Sequence, residues 1–274
     1  MPESGVPRND EPVPESSFGR LNYFFGAAAQ VLSGNPRLLG YLGLNAAVSI
    51  TLVWTLLSAI AVADPENDPE ATAMAIPLAV AISILQSVLL HLLQCGLLVG
   101  ALAALRGETV SIAEGFRVAR SRFMPLAGLA VLMSVLGMAT QFTSVQMINA
   151  GLGILTLPVV LAWLGWFAVD LLAIALVAET DGSVMAYVVG AGRLIRRVWG
   201  DVLVLLLVFL VTTEFLAPIL ISAIASSVAG EDPSREALLS VASIAQIVRN
   251  LIVAFVYAYG ARLYLFAVAA ARAA

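Results

Sequence analysis

Few side chains in this sequence could do chemistry, and those few sit inside apolar runs. His91, in LLHLLQCGLL, is the only histidine, and Cys95 is the only cysteine. A zinc site needs three or four ligands, and neither residue has companions at helical spacing such as an HExxH pair. A nucleophilic triad would need a serine beside a histidine, and no GxSxG occurs. A phosphate loop of the form GxxxxGK[ST] needs a lysine, and the chain has none. One cysteine cannot close an intramolecular disulfide. An enzyme is the weakest expectation, and no cofactor or metal is expected.

What remains is a set of ionisable and amide groups at depths where lipid offers no water. Glu214 stands in LLLVFLVTTEFLAPILI, residues 205–221, with Pro218 just beyond it. At 1.5 Å per residue it falls about 20 Å from the cytoplasmic start of its span. Arg249, in AQIVRNLIV, falls roughly 17 Å from the external start of the next span. Asp170, in WFAVDLLAI, falls about 12 Å from the cytoplasmic end of an earlier one. A lone charge at the bilayer centre costs at least about 2.5–3.5 kcal/mol, so these groups should face inward and pair. Glu214 with Arg249 is the natural bridge, because their spans form a hairpin. His91, Asn45 and Asn250 fall at similar depth, and together the six residues permit a polar cavity. The plainest reading of His91 is a neutral ring hydrogen-bonded between helices.

The elements that would position these groups are long apolar helices. Of 274 residues, 61% are hydrophobic and 12% charged, against about 25% charged in soluble proteins. Six windows are long enough to cross a hydrocarbon core of about 30 Å: 38–63, 73–104, 124–142, 153–178, 202–228 and 238–268. All 14 basic residues are arginine. Twelve of them fall on one side of the six windows: Arg8, Arg20, Arg37, Arg106, Arg117, Arg120, Arg122, Arg193, Arg196, Arg197, Arg262 and Arg272. The other side has Arg235 and the acidic stretch ADPENDPEA, 63–71. The positive-inside rule then puts both termini in the cytoplasm and the chain in the cell membrane as a multi-pass protein. The first 17 residues are acidic and proline-rich and read as a disordered tail, not a signal peptide. A net charge of −4 gives no reason to expect nucleic acid.

Each cytoplasmic segment carries an amphipathic stretch. In SIAEGFRVARSRF, 111–123, Ile112, Phe116, Ala119 and Phe123 form a stripe, and Ser111 with Glu114 has capping-box spacing. In SVMAYVVGAGRLIRRVW, 183–199, the stripe is Val184, Val188, Ala191, Ile195 and Val198. In FGRLNYFFGAAAQVLS, 18–33, it is Leu21, Phe25, Ala28 and Leu32. Such helices are expected to lie at the headgroup boundary, with Arg117, Arg120, Arg122, Arg193, Arg196 and Arg197 reaching anionic lipid headgroups. An amphipathic helix plus a hairpin thus recurs over about 18–104, 111–178 and 183–268, within one membrane domain at 18–274. All three units enter from the cytoplasm, so the inverted repeats common in transporters are absent. Gly96, Gly100 and Ala104 make a small-residue ridge for close helix packing, expected within the chain rather than between copies.

The segments VSIAEGFRVARSRFMPLAGLAVL and LVAETDGSVMAYVVGAGRLIRRVWGDVLVLLL resemble an uncharacterised prokaryotic six-helix integral membrane family. The resemblance covers roughly residues 18–270. Members of that family are described as similar to the membrane domain of glycerophosphoryl diester phosphodiesterases. The soluble barrel of such a phosphodiesterase, with its histidines and metal-binding carboxylates, has no counterpart in these residues. The resemblance therefore implies a membrane module without that chemistry.

The resulting expectation is an all-α bundle of six transmembrane helices with three cytoplasmic interfacial helices and a weak threefold repeat. Its partner is the lipid bilayer, and the buried charges are mainly structural. Two rival readings stand beside it. One is a small-solute or proton-coupled transporter using the midplane cavity, and the other is a membrane-organising subunit that recruits partners.

Overall fold

A computed structural model describes residues 13–62, 69–229 and 235–273. The tail before residue 13 and the connections 63–68 and 230–234 lie outside the described residues, as does the side chain of Glu214. Every regular element described is helical, and no strand occurs among them. In chain order these are α1 (Ser17–Gly34), α2 (Leu38–Val62), α3 (Pro69–Leu105), α4 (Ile112–Ser121), α5 (Phe123–Asn149) and α6 (Thr156–Glu179). They continue with α7 (Val184–Arg197), α8 (Trp199–Leu210), a π-helical turn (Val211–Leu216), α9 (Ala217–Ala229) and α10 (Arg235–Ala273).

Local chemistry sets the helix starts. Ser16, Ser111 and Ser183 are extended, and each hydroxyl accepts from a backbone N–H three residues on, at Gly19, Glu114 and Ala186. At α4 the Glu114 carboxylate accepts in return from the Ser111 N–H at 2.8 Å, completing the capping box. Gly107 ends α3 with φ of 77°, a left-handed conformation that a side chain resists.

Five stretches are long and apolar enough to cross a membrane: Pro77–Leu105, Phe123–Asn149, Thr156–Glu179, Trp199–Ala223 and Ser243–Arg272. The chain is a helical, multi-pass membrane protein. Its centre is α3, α6 and α10, each of which touches the other two. They run in one direction. His91 of α3 meets Asp170 of α6, and Arg106, just past α3, meets Glu179 at the end of α6. Leu171 of α6 lies against Gly260 of α10.

Small residues allow this closeness. A Cβ at Gly96 would sit 2.5 Å from the Tyr41 ring, and one at Gly100 would sit 2.6 Å from Leu38. So α2 packs antiparallel on the Gly96–Gly100 ridge, within the chain. α5 packs on α3 and α6, and α9 packs on α10.

The three amphipathic helices are more deeply engaged than headgroup contact alone would require. α1 buries Phe24, Ala27, Ala28 and Val31, one step round from the predicted stripe, and leaves Phe25 partly exposed. Its rings meet α10, with Phe24 edge-on to Tyr259 at 5.5 Å and Phe25 on Phe255 at 4.6 Å. α4 buries Gly115 and Ala119 against α3 and Tyr41, while Phe116 and Phe123 of its predicted stripe are exposed. α7 follows its predicted stripe, widened by Tyr187 and Leu194, and packs on α6.

Candidate functional site

Two layers of polar contact cross the central helices. In the deeper layer the His91 Nδ1–H donates to the Ser87 carbonyl at 2.8 Å, the oxygen one turn back along α3. That bond fixes the ring and turns Nε2 toward Asp170, whose Oδ1 lies 3.2 Å away. Both side chains are buried, at 7% and 5% exposure. Tyr257 brings a fully buried phenol from α10 into the same electrostatic neighbourhood. Sequence reasoning singled out His91 and Asp170, and the structure joins them directly.

Asn45 and Asn250, also singled out, are buried as well. Asn45 Oδ1 and Asn250 Nδ2 have no hydrogen-bond partner among the described residues, and neither has Ser49 Oγ one turn from Asn45. Arg249, by contrast, is exposed on α10 although Asn250 beside it is buried. It stands outside the buried group and makes no ion pair among the described residues. The expected Glu214–Arg249 bridge cannot be drawn from the described residues, since the Glu214 side chain is not among them.

The backbone at Glu214 is nonetheless informative. It lies in the π-helical turn Val211–Leu216, where the Ala217 N–H reaches back five residues to the Thr212 carbonyl. Pro218 follows directly; it has no N–H and crowds the carbonyl four residues before it, so the α-helical ladder cannot run through. Within the turn, the Thr212 and Thr213 hydroxyls donate back to the Val208 and Phe209 carbonyls just before it, at 2.7 Å each, which spares both hydroxyls an unsatisfied place in an apolar stretch.

The second layer lies at the arginine-rich end. Arg106 pairs with Glu179, to which the Tyr264 hydroxyl also donates at 3.4 Å. Arg122 pairs with Asp181. The Arg20 Nε–H donates to Asp201 at 2.7 Å and ties α1 to the first turn of α8. Arg262 is buried, with its guanidinium over the Tyr23 ring and donating to the Tyr23 hydroxyl. Sequence reasoning passed over Asp201, Glu179, Asp181 and Tyr23. The one available signal was that each acid stands at a helix terminus beside an apolar run.

The arginines expected at the lipid interface divide. Arg117, Arg120, Arg193, Arg196 and Arg197 are exposed, whereas Arg122 is partly buried and held by Asp181. Arg197 also donates weakly to the Ala270 carbonyl at 3.4 Å. Glu114, fully exposed, titrates below the ordinary carboxyl range because the Ser111 N–H and hydroxyl donate to its ionised form. A groove of about 410 Å³ opens between α5 and α6, lined by Leu136, Thr140, Pro158, Trp163 and Trp166, and Asp170 does not line it.

No family model, no curated protein and no solved structure matches the chain. The candidate site therefore stands on its own geometry. A buried imidazole and carboxylate within hydrogen-bond reach can hold two helices together or exchange a proton.

Proposed function

We propose that this is a non-enzymatic protein of the cytoplasmic membrane whose buried charges chiefly hold its bundle together. In this reading α2 is a sixth span, both termini are cytoplasmic, and the arginine-rich end faces the cytoplasm. The observation that carries it is the pattern of ion pairs. His91–Asp170, Arg106–Glu179, Arg122–Asp181 and Arg20–Asp201 each join segments more than fifty residues apart in sequence. In lipid, apolar side chains gain nothing by choosing a neighbouring helix over an acyl chain, so pairing of this kind can decide which helices meet. The order of elements also fits three units, α1 with α2–α3, α4 with α5–α6, and α7 with α8–α10. Under that division the last helix of every unit is one of the central three, which supports the threefold repeat and accords with a six-helix membrane module.

A double-mutant cycle tests the structural role. His91→Leu and Asp170→Leu should each cost about 3–5 kcal/mol in detergent, and the pair together clearly less than the sum. Strictly additive losses would overturn the structural role. The span count is tested separately: reporters fused after Ala63, Ile148 or Gly230 should lie outside, and those after Gly107 or Gly182 inside. One reporter on the wrong side would break the six-span topology.

A second reading, a carrier of protons or a small polar solute, draws support from one specific observation. The unpartnered Asn45 Oδ1, Ser49 Oγ and Asn250 Nδ2 are buried polar atoms of a kind that water or a polar ligand usually satisfies. Uptake into vesicles that survives Asn45→Ala and Asn250→Ala would remove that support.

A further inference from the structure

We propose that His91 and Asp170 together form a single proton-binding site at the centre of the bundle. The argument turns on which ring nitrogen must carry hydrogen. Nδ1 lies 2.8 Å from the Ser87 carbonyl, which can only accept, so Nδ1 is protonated. A neutral ring then presents a bare lone pair at Nε2. At 3.2 Å from Nε2 stands Asp170 Oδ1, which is also only an acceptor when ionised. Two bare acceptors facing each other in a buried, low-dielectric place would repel, so one further proton lies between them. It rests either on Nε2, giving imidazolium and carboxylate, or on Oδ1, giving a neutral ring and a carboxylic acid. Both arrangements are neutral overall, and one proton separates the pair from a net charge.

Among the described residues no arginine pairs with Asp170. On α3 the next titratable group is Cys95, buried and free. α10 contributes the Tyr257 phenol, while its Arg262 is held on the Tyr23 ring and hydroxyl and its Arg249 is exposed; α2 contributes Tyr41, whose hydroxyl donates to the Ile112 carbonyl. From α5, Ala130 meets Ser87 only through its carbonyl, and α8 meets α6 through the Phe167–Phe209 stack. The cations nearest the arginine-rich end, Arg106 and Arg122, are held by Glu179 and Asp181. On α4 and α7, Glu114, Arg117, Arg120, Arg193, Arg196 and Arg197 are exposed, and on α8 Asp201 is held by Arg20. The proton is therefore the counter-ion for Asp170. This inference concerns the same pair as the structural role but does not need it: helix pinning requires only contact, whereas the site requires a proton that can leave.

His91 is the sole histidine, so ¹⁵N-histidine labelling of the full chain reports one ring. The sample is the protein in vesicles of phosphatidylethanolamine and phosphatidylglycerol, studied by solid-state NMR at neutral and then alkaline pH. The expected wild-type result is a directly protonated Nδ1 throughout, with an Nε2 signal that moves once, as one proton per chain leaves. Asp170→Asn should keep Nδ1 protonated but abolish the Nε2 movement, because an amide can donate to Nε2 and has no proton to release. A bare Nδ1 in the wild type would overturn the proposal, and so would an Nε2 movement unchanged by Asp170→Asn. Should that variant fail to fold, the wild-type Nδ1 result decides alone. Failure of the structural role would appear instead as additivity in the Leu cycle, with the NMR result untouched.

Discussion

The central helices and the flanking ones differ in a way that apolar content does not foretell. Within their spanning windows α3 is 72% buried and α10 61%, whereas α5 is 17% buried and the α8–α9 stretch 19%. Yet α8–α9 is the most apolar of the five and α10 the least. In water the order would be reversed, since burial follows hydrophobicity. In lipid a leucine is as well placed outside as inside, and close contact is decided by small residues and by polar groups that need partners. α10 has both: Ala254, Ala258, Gly260 and Ala261 for approach, and Tyr257, Arg262 and Tyr264 for pairing. α8–α9 turns Leu203, Leu207, Leu216 and Ile219 outward.

The contrast breaks most sharply at glycine. A Cβ at Gly260 would stand 2.8 Å from two Leu171 carbons and 2.9 Å from a third, in a packed seam between α6 and α10. A Cβ at Gly137 of α5 meets nothing nearer than Trp163 Nε1 at 4.0 Å. Gly260→Ala should therefore cost about 1–3 kcal/mol through overpacking. Gly137→Ala should be neutral or gain up to about 1 kcal/mol from helix propensity. Thermal unfolding in detergent compares the two, and equal effects would mean that the central seam is no tighter than the flank.

Helix positions are legible in the sequence to within about seven residues, because length and punctuation are local properties. The largest gap is the end of α5, at Asn149 against an expected 142. Ser111 with Glu114 named its own helix start, and Gly107 and Pro218 mark breaks that any neighbourhood would leave in place. Direction around a helix is another matter. Rise per residue puts Arg249 at depth, but when every face of a span is apolar nothing in the pattern says which face turns inward. Arg249 is exposed, while Asn250 beside it is buried. The α1 stripe shifted for the same reason: FFGAAAQVL is apolar on several faces, and the choice is made by the α10 rings that meet Phe24. Asp201 escaped notice because an acid at the mouth of a span looks like a solvated one until Arg20 arrives from 181 residues away.

A smaller effect separates the exposed arginines from the paired ones. Replacing Arg193, Arg196 and Arg197 together with glutamine removes no buried ion pair and only one weak bond, to the Ala270 carbonyl. Unfolding temperature should move by the equivalent of about 0.5 kcal/mol or less. Contact with anionic lipid should fall, by about 1 kcal/mol for each arginine that lies against the surface. Exchange of spin-labelled phosphatidylglycerol at the protein boundary measures the second quantity. Loss of all folded material would instead assign these arginines to the bundle itself.

The smallest expected change lies at the entrance to α4, where one exposed carboxylate holds the helix start. The Glu114 carboxylate accepts from both the Ser111 N–H and its hydroxyl at 2.8 Å, and its titration is lowered by those bonds. A carboxyl with a folded-state value below its unfolded one contributes order that is complete above the unfolded value. That order is lost as pH falls through the folded value. The window is therefore acidic, beginning near the ordinary carboxyl range of about 4.3 and extending below it. Amide hydrogen exchange at Ser111 and Glu114 should quicken as pH drops through that window, after correction for the intrinsic rate, while exchange within α3 stays unchanged. Glu114→Gln keeps an acceptor for the Ser111 N–H without the charge, so its corrected exchange should be flat across the same range. Glu114→Ala removes the acceptor and should exchange faster at every pH. If Gln and the wild type show the same acid dependence, the carboxylate is not what holds the start of α4, and the Ser111 hydroxyl alone caps it.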